Sequence, residues 1–254
     1  MLSCLLLAFT TLTANAEPRQ VLHQSVLIRW DERSLRLSND TATATLYDLE
    51  KTHNEQGNII EQRSGTVLSV VGPWLSYSTE WYSEGGAHPS YGSSWQVIDV
   101  VKGPAAVELN SLFPEAELLS ALKKNPTIQQ AIVGEPGPTL SELLDSLEGG
   151  CDMALNASIL KSWAFKALKE QTVVVQLGVG YGAEVCRGQL TKIDLELAIP
   201  RALEAPLREA SARGTLLKQL SQPPPAPLEV ISVVDNQLFR SNLGTKQRSK
   251  IDLG

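Results

Sequence analysis

Histidine and cysteine are scarce in this 254-residue chain, with three of each. They are His23, His53 and His88, and Cys4, Cys151 and Cys186. Transition-metal sites are assembled from clustered His and Cys ligands, so no metal site is expected. Also missing are the G-x-S-x-G nucleophile elbow, the H-E-x-x-H zinc helix, the Gly-rich phosphate loop with its lysine, and any C-x-x-C pair. Their absence removes the commonest signatures of hydrolases, metalloproteases, nucleotide-binding enzymes and thiol redox enzymes, and no cofactor is expected. Positive charge is short: Lys+Arg 22 against Asp+Glu 28 leaves a net −6, with a pI near 5.2. Affinity for nucleic acid comes largely from Lys and Arg neutralising phosphates, so no nucleic-acid partner is expected. Beyond residues 1–16 no apolar run approaches the roughly 20 residues a bilayer span needs, which predicts no transmembrane segment in the mature chain. With 43% hydrophobic and 20% charged residues, an acidic globular protein remains.

The chain opens on an apolar stretch over residues 5–12, followed by Ala14-Asn15-Ala16, the small-x-small pattern that signal peptidase accepts. No Lys or Arg precedes that stretch, which points to a start further upstream. Acylation of Cys4 would require the apolar run before the cysteine, whereas here it follows. Cleavage after Ala16 and a periplasmic or secreted mature chain are the expectation. Cleavage removes Cys4 and leaves Cys151 and Cys186, each beside a turn. In an oxidising compartment such a pair reads as a disulfide. A reactive thiol near Arg187 is the alternative.

Residues 21–101 read as β, with strands over 24–30, 41–49, 66–71, 75–82 and 94–100, a turn at Glu55-Gln56-Gly57-Asn58 and an interruption at Gly72-Pro73. The period then changes. Leu118, Leu119 and Leu122 recur at helical spacing over 115–124, and 127–133 follows Pro126 as a short helix. Thr139 with Glu142 three residues on forms a capping box for a helix whose stripe is Leu140, Leu143, Leu144 and Leu147, stopped by Gly149-Gly150. Residues 162–168 and 172–179 read as a hairpin around Lys169-Glu170-Gln171. In 190–199, Ile193, Leu195, Leu197 and Ile199 alternate with Lys192, Asp194 and Glu196. A helix over 202–220 is weakened by Pro206 and Gly214. Residues 223–227 form a proline-rich linker, 229–234 a last strand, and Lys246, Arg248 and Lys250 a basic tail expected to fray. This order predicts an α+β fold over 17–222, an antiparallel sheet packed against several helices in a single compact domain.

Gly178-Val179-Gly180-Tyr181-Gly182 follows a strand, but the dinucleotide fingerprint would need its third glycine at Ala183. These glycines read instead as a bend or bulge. The most unusual stretch is 77–95, which holds Tyr77, Trp81, Tyr82, Tyr91 and Trp95 around Glu80, Glu84 and His88. One reading is a β-hairpin whose aromatics serve the core, with His88 held in a turn. Another is a recognition surface of Trp81, Tyr82, Gly85, Gly86, His88 and Tyr91. Trp and Tyr stack on sugar rings or anchor protein partners, and Gly85-Gly86 lets the backbone pass close to something bulky. A catalytic reading makes His88 a base oriented by Glu80 or Glu84, with Ser83 or Ser90 as nucleophile. Glu80 and Glu84 could also be imagined as a glycosidase pair.

At Gly85-Gly86-Ala87-His88 the chain resembles a family of exported domains of poorly defined function. Its members include the extracytoplasmic domain of the lysozyme-sensing anti-sigma factor and the non-catalytic domain attached to some peptidoglycan deacetylases. The family's aromatic strand, Gly-Gly-Ala-His, strand ending near Asp, and Leu-x-x-Leu-Phe segment resemble Glu80-Trp81-Tyr82, residues 85–88, residues 95–99 and Leu109-Asn110-Ser111-Leu112-Phe113. The likeness spans roughly residues 66–205. Lys102-Gly103-Pro104-Ala105 and Ala183-Glu184-Val185-Cys186 depart from the family's pattern. The resemblance implies an α+β binding or sensing domain at the cell envelope, with lysozyme or peptidoglycan as partner. The net negative charge suits a basic protein such as lysozyme, mainly through the on-rate. A non-enzymatic recognition domain is the expectation, an envelope hydrolase using His88 the alternative, and an assembly subunit the third reading.

Overall fold

The computed structural model describes residues 18–84, 89–181, 186 and 190–221, and the backbone of 229–234, 237–242 and 247–250. The expected leader with its Ala16 junction, Gly85-Gly86-Ala87-His88 and the 223–227 stretch lie outside the described residues. The α+β class holds: among the described residues the helices are short, every strand pair is antiparallel, and the strands divide among four sheets where one was expected.

Strands β1 (Arg19–His23), β2 (Val26–Trp30), β3 (Ser34–Ser38) and β4 (Thr43–Asp48) form a four-stranded meander. Only two strands were expected over this stretch, because its turns carry neither Gly nor Pro. Gln24 turns the chain at φ 51°. The Asp31 carboxylate accepts from the Arg33 and Ser34 amides at 2.7 and 2.8 Å. The Asn39 side-chain carbonyl accepts from the Thr41 and Ala42 amides at 3.0 and 2.8 Å. Short polar side chains thus replace the missing backbone partners of the turn.

The chain then crosses at Leu49 into a five-stranded meander of β5 (Glu50–His53), β6 (Ile59–Val71), β7 (Trp74–Ser83), β8 (Ser90–Asp99) and β9 (Gly103–Ala106). Gly57 at φ 81° closes the first turn. Gly72, at φ 52°, forms with Pro73 a two-residue connection between Val71 and Trp74. Helices follow: α1 (Glu115–Lys124), α2 (Pro126–Ala131) and α3 (Leu140–Asp145). The Asn125 side chain caps α2, and Thr139 and Glu142 make the expected capping box on α3. A three-stranded sheet of β10 (Trp163–Leu168), β11 (Thr172–Gly180) and β12 (Leu190–Ala198) comes next. The helix expected over 202–220 breaks at Gly214, φ 71°, into α4 (Arg201–Arg213) and α5 (Leu217–Leu220). Beyond them β13 (Glu229–Val234), β14 (Gln237–Asn242) and β15 (Gln247–Lys250) pair in that order. Arg248 and Lys250 of the supposedly fraying tail therefore lie in a strand paired to β14.

The five-stranded sheet is the middle layer. Val67, Val70, Leu75, Tyr77, Ile98 and Val100 face the four-stranded sheet and pack on Ile28, Trp30, Leu35 and Tyr47. Its other face meets β10, which crosses β6, β7 and β8. Trp163 and Phe165 of that strand join the largest cluster with the helices and with Val173, Val175, Leu177, Ile193, Leu195 and Leu197. Small residues let the two sheets approach. A Cβ on Gly178 would lie 2.6 Å from Cδ2 of Trp95, and Ala164 packs with Trp95 and Leu68. A bulge at Leu68 turns both Leu68 and Ser69 toward β10, where the Ser69 hydroxyl accepts from the Phe165 amide at 3.2 Å.

Candidate functional site

Burial along β6, β7 and β8 changes abruptly. Val67–Val71, Leu75–Ser78, Trp95 and Val97–Asp99 are buried, whereas the opposite halves, toward Ile59, Ser83 and Ser90, are not. Those outer halves, with β5 paired to β6, are a four-stranded ribbon extending past the core, rich in Ser, Thr, Glu and Gly with a few large aromatics. Trp81 and Tyr91 sit there at 47% and 48% exposure.

Register assigns each side chain to a face. Trp81 pairs with Gly92 on one side and Arg63 on the other, while Tyr82 pairs with Tyr91 and Gln62. Neighbours along a strand point to opposite faces, and residues directly across from one another share a face. Trp81 therefore lies on the face that continues the Val67–Tyr77 core surface, and Tyr82 and Tyr91 lie together on the reverse face. The single surface expected from Trp81, Tyr82 and Tyr91 is thus two surfaces, back to back. Gly85, Gly86 and His88 of that expectation lie outside the described residues.

On the Trp81 face the two meanders diverge and leave a cleft of about 1010 Å³. Its floor is the outer sheet face, where Glu50 and Arg63 are opposite each other, as are Thr52 and Glu61, and Arg63 and Trp81. Its wall is β4, with Thr45 and Asp48; the Asp48 carboxylate lies 3.6 Å from Arg36. Thr79 and Ser94 hydroxyls hydrogen-bond at 2.9 Å across the same face. Two glycines shape the cleft. A Cβ on Gly65 would fall 2.4 Å from the Tyr47 ring, which covers that glycine and closes the inner end of the cleft. A Cβ on Gly92 would fall 2.6, 2.8 and 3.0 Å from three indole atoms of Trp81, so the indole lies down on the strand. Burial, and then the Asp31 carboxylate, hold the Tyr47 phenol well above its usual range. Burial does the same for Tyr77. Both phenols stay protonated at neutral pH and act as donors, Tyr47 to the Asp31 carbonyl at 3.3 Å and Tyr77 to Gln96 Oε1 at 2.7 Å. The sequence reading missed Glu50, Glu61, Arg63 and Gly92. The polar run over residues 61–66 of β6 was available to it, but the pairing of β6 with β5 and β7 was not.

The catalytic candidates do not converge among the described residues. Glu80 is exposed and shares the Tyr82 face, opposite Ser64 and Ser93. Glu84 is exposed just past β7, with its amide on the Ile60 carbonyl at 2.7 Å. Four residues along an extended chain place their Cα atoms about 13 Å apart, against the roughly 5–9.5 Å between the carboxyls of a glycosidase pair. Ser83 and Ser90 are directly across from each other at the ribbon's end. No group of three or more His, Cys, Asp or Glu among the described residues is arranged to hold a metal. No helix among them is long and apolar enough to cross a membrane.

Cys151 and Cys186 are joined by a disulfide, with Cα atoms 6.0 Å apart, so neither is the reactive thiol considered as an alternative. The bridge ties the β11–β12 connection to the turn after α3. There Met153 also pairs with Tyr181, and the Ala154 amide donates to the Gly180 carbonyl at 3.0 Å. In comparisons with known proteins, the chain matches no family model, no curated protein and no solved structure.

Proposed function

We propose that this chain is an exported, non-enzymatic recognition domain of the bacterial cell envelope. Its partner is a basic protein such as lysozyme, which docks on the Tyr82–Tyr91 face of the outer ribbon. The observation that carries the reading is the placement of Tyr91, left about half exposed beside Tyr82, with Glu80 and Ser93 as their neighbours on that face of β7 and β8. Tyrosine offers large contact area with little entropy lost on binding, the composition of an interface anchor. Three further points support it. The Cys151–Cys186 bridge suits an oxidising compartment. The net charge of −6 would accelerate encounter with a basic partner. The resemblance at residues 85–88 leads to the same class of partner.

The test is retention of the mature chain on immobilised lysozyme and on murein, in parallel with Tyr91→Ala. Wild-type retention on lysozyme that the variant loses supports the proposal. Equal retention of both proteins, retention on murein alone, or none at all overturns it.

A further inference from the structure

The Trp81 cleft lies on the opposite face of the ribbon and calls for a different ligand. We propose that it is a carbohydrate-binding site for a short neutral or amino-bearing pyranose oligosaccharide, with the Trp81 indole as the platform on which one sugar ring stacks. The inference is independent of the Tyr82–Tyr91 proposal.

The platform comes first. Gly92 directly across from Trp81 lets the indole lie along the sheet, and the ring remains 47% exposed. Covering a strand glycine accounts for one face of the indole; the other remains turned to the cleft. A pyranose ring offers a matching surface, with C–H bonds on its faces and hydroxyls at its rim.

The surroundings suit that rim. Around Trp81 the floor presents Glu50, Glu61, Arg63 and Thr79, a mixture of acceptors, donors and hydroxyls. An amphipathic helix would need an apolar groove, and this floor is a polar face of paired strands with one large apolar residue. An added strand would need a free sheet edge; the edge of this sheet at the cleft is β5, two strands away from Trp81 on β7. Glu50 and Glu61 on the floor and Asp48 on the wall outnumber Arg63 and the Arg36 that lies 3.6 Å from Asp48, so the local charge disfavours acidic sugars and accepts ammonium groups. About 1010 Å³ lies at the top of the roughly 300–1,000 Å³ range of small-ligand pockets, room for several linked rings.

The test is isothermal titration of the full mature chain with chitotriose, its de-N-acetylated form and trigalacturonate. Binding of either of the first two, with trigalacturonate silent, is expected. Trp81→Ala should weaken that binding by about fivefold or more, the factor that a contribution on the order of 1 kcal/mol represents. Gly92→Val keeps the indole but lifts it from the strand, and should weaken binding by a similar factor while circular dichroism and melting stay near wild type. Tyr91→Ala should bind the sugars as wild type does, whatever happens to its retention on lysozyme. No heat with any sugar at millimolar concentration, equal binding of trigalacturonate, or wild-type affinity in both Trp81→Ala and Gly92→Val would overturn the site. None of those results bears on the protein-docking face.

Discussion

Replacing both bridge cysteines, Cys151→Ser with Cys186→Ser, should lower the stability of the protein by about 2–4 kcal/mol. The magnitude comes from chain entropy. A crosslink across a separation of 35 residues removes about 12.7 cal/mol/K from the unfolded ensemble, or about 3.8 kcal/mol at 25 °C. Cys151 and Asp152 sit at φ 61° and 51°, a region that costs non-glycine residues about 1 kcal/mol or more each. Freed of the bridge, this turn can relax, which trims the loss toward about 2–4 kcal/mol. The Met153–Tyr181 bridge and the Ala154–Gly180 hydrogen bond stay in place, so the fold should survive. For a domain of this size each kcal/mol moves the melting point by about 2–4 °C, which gives a drop of roughly 4–16 °C. Thermal melts followed by circular dichroism would compare the oxidised wild type, the wild type with reductant, and the double variant. The last two should melt together and below the first. Superimposable curves for all three would refute the reasoning, because the loop would then contribute no constraint to the unfolded chain.

Two buried serines directly across from each other should respond in opposite directions. Ser69→Ala strands the Phe165 amide and should cost about 1–3 kcal/mol in urea unfolding, whereas Ser76→Ala removes a hydroxyl that has no hydrogen-bond partner and should be neutral or stabilising. Glu142 gives a pH signature. The Thr139 hydroxyl, and then its backbone amide, donate to the carboxylate and hold its pKa below the ordinary 4.5. A lowered folded-state pKa means that this stabilisation is complete above pH 4.5 and fades as the pH falls through the folded value. The stability gap between wild type and Glu142→Ala should therefore be constant near neutrality and close in more acid solution. A gap that widened in acid would contradict the capping box.

Much of the local structure was legible because its causes are local. Thr139 and Glu142 cap α3, and Gly72-Pro73 turns β6 into β7, both through interactions within a few residues. The meander of β1 to β4 was partly hidden, since Asp31, Asn39 and Gln24 make its turns without the usual glycine or proline signals. The candidate site shows where such reading stops. Trp81 and Tyr82 are neighbours in sequence and were grouped for that reason, yet adjacent strand residues must point to opposite faces. Even with that rule applied, the side on which Tyr91 falls depends on its pairing with Tyr82 across the ribbon.

Composition alone was enough for an acidic globular chain poor in metal ligands, the order of its periodic segments for the α+β class, and an even cysteine count beyond the expected leader for the bridge. Those properties are sums over residues, or follow from patterns a few positions long. The tertiary structure decided the two-faced ribbon and the cleft. Glu50, Glu61 and Trp81 come from three strands, and only their hydrogen-bonded register sets them side by side. Register depends on which distant strands find each other and where bulges such as the one at Leu68 shift the pairing, and no local pattern encodes that.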